Sequence, residues 1–237
     1  MANSVHLGQD EVIRRIGVAL ETGQPFSLVR IGDGENLVLS QNSVMSMDEI
    51  LQEPWVIKAN QGHKGVKLPN ISLRNLLVSS IRKADIVGLL PPGDQIIQAP
   101  SYLKRELTDK IMTHYQLHPI HTCPAWINRQ LAQDPRFWAM LRGRRIMLMY
   151  QSIAQLKSVL QKDPYRMQVT LTFPFVQYGQ MTEALQFMLD NRDKFDVALI
   201  CCGVNAVVLA QKVAELTGKV GIDFGKASNI LIKGKPN

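Results

Sequence analysis

The chain has 237 residues, 46% apolar and 20% charged, with a net charge of +7. That balance excludes a disordered chain and allows a large buried core without staples. The positive excess suits an anionic partner such as a nucleotide phosphate, an acidic glycan or a lipid surface. No block of roughly five or six like charges occurs, which argues against a nucleic-acid partner. No apolar stretch nears the ~20 residues that span a bilayer, so no transmembrane segment is expected. Residues 1–15 contain acids and no apolar leader core, so the cytoplasm is the expected location. Cys123 and the adjacent Cys201 and Cys202 lack metal or disulfide spacing and read as buried small hydrophobes.

In chain order, Val12, Ile16, Ala19 and Leu20 share one helical face, and Gly23 is a stop. Residues 25–31, PFSLVRI, read as a strand, 44–53 as a short helix, and 53–70 as a basic, glycine-bearing loop. A helix over 72–84 has Ser72 as a candidate cap. A strand over 85–90 is stopped by Pro91 and Pro92. Helical spacing returns over 100–117, and one or two helices fill 124–143. Strands are expected near 144–152, 167–175, 195–203 and 219–225, with helices over 153–162, 181–194 and 204–218 between them. A short tail follows from about residue 226. Strand and helix thus alternate about six times, which predicts a single α/β domain. Its sheet would be Rossmann-like and mainly parallel, with helices on both faces.

Ligands of open α/β sheets bind beyond the carboxyl ends of the strands. Residues 30–35, RIGDGE, occupy that place after the first long strand. If the backbone stays extended through Gly34, Asp33 and Glu35 point the same way. Two carboxylates on one side suit Mg²⁺ or Mn²⁺, with phosphate oxygens and water completing the shell. Gly32 and Gly34 would let the backbone approach a bulky anion. Arg30 could neutralise phosphate or pair with Asp33. Solvated acids in an ordinary turn are an equally weighted alternative. Leu37 stands where a dinucleotide fingerprint needs its third glycine, which weakens an oxidoreductase reading.

SLVRIGDGE, residues 27–35, resembles the aspartate-x-glutamate signature of the GT-D glycosyltransferases. ALICCGVNAVVLAQKVAELTGKVGIDFG, residues 198–225, is similar to that family's C-terminal stretch, and WINRQL to its aromatic-x-x-arginine segment. The resemblance implies a nucleotide-sugar donor, typically a UDP-sugar, and a glycan or glycosylated-protein acceptor. It also implies Asp33 and Glu35 acting on the diphosphate, directly or through a divalent cation. The chain departs from the family pattern at Val204–Asn205, where a proline is usual, and at Lys226, where a histidine is.

Read from the residues alone, Gly203 ends a buried strand. The helix from about Asn205 would aim its free N–H groups at the same sheet edge, with Asn205 as a candidate cap. Asp223 could bind a ribose or sugar hydroxyl, cap a helix or pair with Arg30. Arg129 could touch donor phosphate or acceptor, or lie on a surface helix. Residues 58–67 could form a lid or a solvated loop. His114 and His118 lack the glutamate of a zinc motif, and His121 is a weak acid/base candidate. The expected function is metal-assisted glycosyl transfer. A nucleotide-binding module without turnover is the alternative, and oligomeric state is left open.

Overall fold

A computed structural model of the chain describes residues 4–234. Eight strands form one sheet: β1 (Val5–His6), β2 (Phe26–Ile31), β3 (Ile86–Leu89), β4 (His121–Pro124), β5 (Arg145–Met149), β6 (Gln168–Phe173), β7 (Val197–Ile200) and β8 (Val220–Asp223). Their order is β1-β4-β3-β2-β8-β7-β5-β6, and every pairing is parallel. The expected six strands become eight. β1 has two residues, and β4 is HTCP, with no run of branched apolar residues and a proline at its end. Neither carries a sequence signal of its own; each exists because a neighbour offers it a ladder.

Parallel neighbours need crossover connections, and helices supply them. Side chains of the central strands alternate between two apolar layers. In β7, Val197 and Leu199 join one layer, and Ala198 and Ile200 the other. One layer is covered by α2 (Asp33–Ser40), α5 (Ile71–Lys83), α6 (Arg105–His114), α10 (Met181–Asp190) and α11 (Asn205–Thr217). The opposite layer is covered by α1 (Gln9–Thr22), α7 (Ile127–Gln133), α8 (Pro135–Leu141), α9 (Ile153–Gln161) and α12 (Ala227–Lys233). Two short helices, α3 (Met47–Gln52) and α4 (Pro54–Asn60), follow α2. α11 is buried around most of its first three turns and lies close against β8. A side chain at Gly221 would run into the Ala210 carbonyl.

Four local expectations change. The extended stretch through Gly34 is instead the first turn of α2, because Asp33 and Glu35 suit the positive end of a helix dipole. Residues 54–60, expected as loop, form α4 with Pro54 at its first position. Asn70, not Ser72, caps α5, its side chain accepting the Leu73 N–H at 2.8 Å. The segment beyond 226 is mostly α12, whose Ala227, Ile230 and Leu231 are buried. No helix among the described residues is long and apolar enough to cross a membrane.

Candidate active site

β2 and β8 are hydrogen-bonded neighbours, yet the chain leaves them toward opposite faces. After β2 it enters α2, which packs in one apolar layer; after β8 it enters α12, which packs in the other. Diverging exits from adjacent parallel strands open a crevice at their carboxyl ends, where ligands of such sheets bind.

Arg30 and Asp223 meet across this crevice. Arg30 Nη2 donates to Asp223 Oδ1 at 2.6 Å, Nε to the Asp223 carbonyl at 3.0 Å, and Nη1 to the Ala125 carbonyl at 3.1 Å. Of the two carboxylate partners open to Arg30, the structure selects Asp223, which is 1% exposed. Burial disfavours the guanidinium charge, but Asp223, and more weakly Glu35, outweigh it and hold Arg30 above its ordinary pKa. Glycines frame the arginine. A Cβ at Gly88 of β3 would lie 2.9 Å from Arg30 Cγ, and one at Gly225 (φ +46°) would overlap the guanidinium.

Asp33 and Glu35 occupy the first and third positions of α2, about 200° apart around its axis. They therefore do not share a face by strand alternation. Glu35 folds back so that Oε2 accepts the Gly32 N–H at 2.9 Å, half of a capping box. Burial first, then the charge of Asp223, push its carboxyl up to about 7, against the pull of Arg30 and the Gly32 N–H; Asp33 adds to the rise. Asp33 is half-buried, with no hydrogen bond or ion pair among the described residues, and interacts electrostatically with Lys64. Gly34 is where Trp55 of α4 packs: a Cβ there would lie 2.7 Å from the indole ring.

Gly203 and Asn205 stand at the neighbouring exit, after β7. Asn205 is fully buried but does not cap α11; Val204 holds that position. Its Nδ2 donates to the Gly65 carbonyl at 3.0 Å, and its Oδ1 has no partner among the described residues. Asn128 of α7 likewise donates to the Phe224 carbonyl at 2.8 Å and leaves its Oδ1 unpaired. Ser80 Oγ of α5 and Gln211 Oε1 of α11 are buried and unpaired in the same way among the described residues, so these oxygens do not by themselves mark a ligand site. Arg129 is half-buried; burial and the charge of Arg30 lower its pKa, and Asp94 opposes them.

Thus Arg30, Gly32, Asp33, Glu35 and Asp223 come together, Arg129 lies within electrostatic reach of Arg30, and Gly203 and Asn205 join through the 61–69 loop. Trp55 and the Ala125 carbonyl carried no sequence signal. His121 begins β4, at the end of the strand away from the crevice. The thiols of Cys123 and Cys201 are raised to about 12 by burial, consistent with inert core residues. A separate hollow of about 300 Å³ beside Ile13, Gly17 and Met140 contains none of these groups.

Asp223 and Glu35 act on the Arg30 guanidinium, and Asp33 acts on Glu35 and on Lys64, so the crevice is lined by charges of both signs. Burial first, then the neighbouring carboxylates, raise Glu35, and a cation beside it would favour its ionised form. No group of three or more His, Cys, Asp or Glu among the described residues is arranged to hold a metal. A cation here would therefore take two protein ligands, Asp33 and the free oxygen of Glu35, and complete its shell with phosphate and water.

A parallel α/β sheet with a charged crevice at diverging strand exits places the chain among doubly wound folds that bind ligands at such a point. The chain belongs to the GT-D fold-like domain family, whose pattern it matches over residues 7–231. A solved structure, described as the selenomethionine-substituted structure of domain of unknown function 1792, superposes with a TM-score of 0.62. The two share 16% identity over 99% of this chain and 84% of the other, a likeness of fold. No curated protein matches the chain in sequence.

Proposed function

We propose that the protein is a glycosyltransferase that moves a sugar from a nucleotide-sugar, with UDP as the nucleotide, to a hydroxyl of a glycan or glycosylated-protein acceptor. The observation that supports it is the charged crevice between β2 and β8, with Asp33 and Glu35 on its rim, in a chain of the GT-D fold-like family. Mn²⁺ or Mg²⁺ held by Asp33 and Glu35 would supply charge neutralisation to the leaving diphosphate.

The chain's own residues do the rest. Arg30, anchored by Asp223, sets a fixed positive centre beneath the two acids. The Gly65 carbonyl, bonded by Asn205 and by the Tyr178 N–H at 2.8 Å, keeps the 61–69 loop down beside the crevice and limits water there.

The test is a thermal-shift and calorimetric screen of nucleotide-sugars with and without Mn²⁺, followed by turnover of the binders. UDP-sugars should raise Tm more with Mn²⁺ than without, and Asp33→Asn should remove the Mn²⁺-dependent part while the protein stays folded. Unchanged Mn²⁺-dependent binding in Asp33→Asn refutes the assignment.

A second reading is nucleotide binding without transfer. It is favoured by the commitment of Arg30 and Asn205 to internal partners, which leaves neither wholly free for a donor. Tight UDP binding with no transfer or donor hydrolysis would select it.

A further inference from the structure

The 58–67 segment carries Lys58, Lys64 and Lys67, and its middle is fixed rather than swinging free. The Gly65 carbonyl accepts from both Asn205 Nδ2 and the Tyr178 N–H, at 3.0 and 2.8 Å. Gly65 has φ +69°, and a Cβ on it would lie 2.8 Å from the Val176 carbonyl, so only glycine passes here without strain. The Lys64 carbonyl faces Gly203, 3.5 Å from where a Cβ would stand. The backbone of residues 64–65 is thereby laid against the start of α11.

The Lys64 side chain goes the other way. Its Nζ sits 5.9 Å above the ring of Trp55, the same ring that packs on Gly34 between the two acids. Lys64 is half-buried, with no carboxylate in ion-pair contact among the described residues, and its electrostatic neighbours are Lys226, Asp33 and Lys58. Lys226 stands at the start of α12, one residue past Gly225, which lines the Arg30–Asp223 pair. Burial first, then the charge of Lys226, lower the Lys64 pKa, with Asp33 opposing. Lys64 lies at the Trp55 ring beside the start of α2, and Lys226 follows Gly225 at the start of α12, so the two lysines belong to the two strand exits that border the crevice.

We propose that Lys64 and Lys226 form a two-sided diphosphate clamp, with residues 64–65 as its fixed arm and Trp55 as the rest on which the Lys64 ammonium lies. The inference deepens the glycosyltransferase reading by assigning the leaving group's phosphates to these lysines. Lys64 would donate to diphosphate oxygens, and Lys226 would approach from the α12 side. Part of the neutralisation would then come from the protein itself and persist without a divalent cation.

The experiment is calorimetry of the full chain with UDP, uridine and inorganic pyrophosphate, in Mn²⁺ and in EDTA. Lys64→Gln and Lys226→Gln are compared with wild type and with Lys67→Gln, an exposed lysine of the same loop. Each clamp variant should weaken UDP and pyrophosphate about tenfold, the effect of one charge-assisted hydrogen bond, in EDTA as well as in Mn²⁺. Lys67→Gln should match wild type, and uridine binding should be the same in all four proteins. Wild-type affinity for UDP and pyrophosphate in Lys64→Gln overturns the clamp. If wild type binds pyrophosphate, loses it in Lys64→Gln and ignores UDP, the clamp stands and the sugar-nucleotide reading falls. If wild type binds neither, both fall.

Discussion

Glu35→Gln isolates the electrostatic cost of the crevice. The Glu35 carboxyl rises from its ordinary 4.5 to about 7, chiefly through burial and the charge of Asp223. A carboxyl raised on folding binds more protons in the native than in the unfolded state, so stability falls as pH climbs between those two values. The full cost is present above about pH 7 and absent below about 4.5. At 1.36 kcal/mol per pH unit the difference amounts to about 3 kcal/mol, and partial solvent exposure reduces it toward about 2. Glutamine keeps an oxygen for the Gly32 N–H but cannot ionise. Glu35→Gln should therefore be more stable than wild type by about 2 kcal/mol at pH 8, or about 4–8 °C in Tm, and about equal to it at pH 5. Urea denaturation in metal-free buffer at the two pH values reads this directly. The carboxyls that hydrogen-bonded partners depress to about 2, Glu11, Asp134 and Glu215, titrate below the window, and Asp223, whose carboxyl burial also raises, is present in both proteins. A variant no more stable than wild type at pH 8 would refute the reasoning.

Two further outcomes are expected. Asp223→Ala strips the buried Arg30 of its partner and should cost about 3–5 kcal/mol, whereas Arg30→Leu/Asp223→Leu should cost less than the sum of its single variants; additivity in denaturant titrations would contradict the pairing. Gly34→Ala drives a methyl against the Trp55 ring and should cost about 1–3 kcal/mol with a change in tryptophan fluorescence; an unaltered spectrum and stability would show that the ring does not rest there.

Much of the layered plan was legible because it rests on local regularities. β7 and β5 are continuous apolar runs bounded by polar or glycine residues, as strands buried on both faces must be. Gly23 and Gly218 both take left-handed conformations at helix ends, which explains why each stop could be placed from the sequence. The short motif RIGDGE and the distant GIDFG were recognisable as partners in a family pattern, and the fold sets them on adjacent strands.

Other features needed the third dimension. Leu37, Val38 and Leu39 are consecutive and all fully buried, so α2 has no polar face from which a helical period could be read. Sequence alone determined that two acids follow a buried strand in an α/β chain. Only the tertiary structure decided that they begin a helix, that Arg30 spends its charge on Asp223, and that Lys64 rests over Trp55. The reason is physical: composition and periodicity report how each residue meets water. The partner of a buried charge is chosen by which strand exits lie side by side, and those exits can be far apart in the chain.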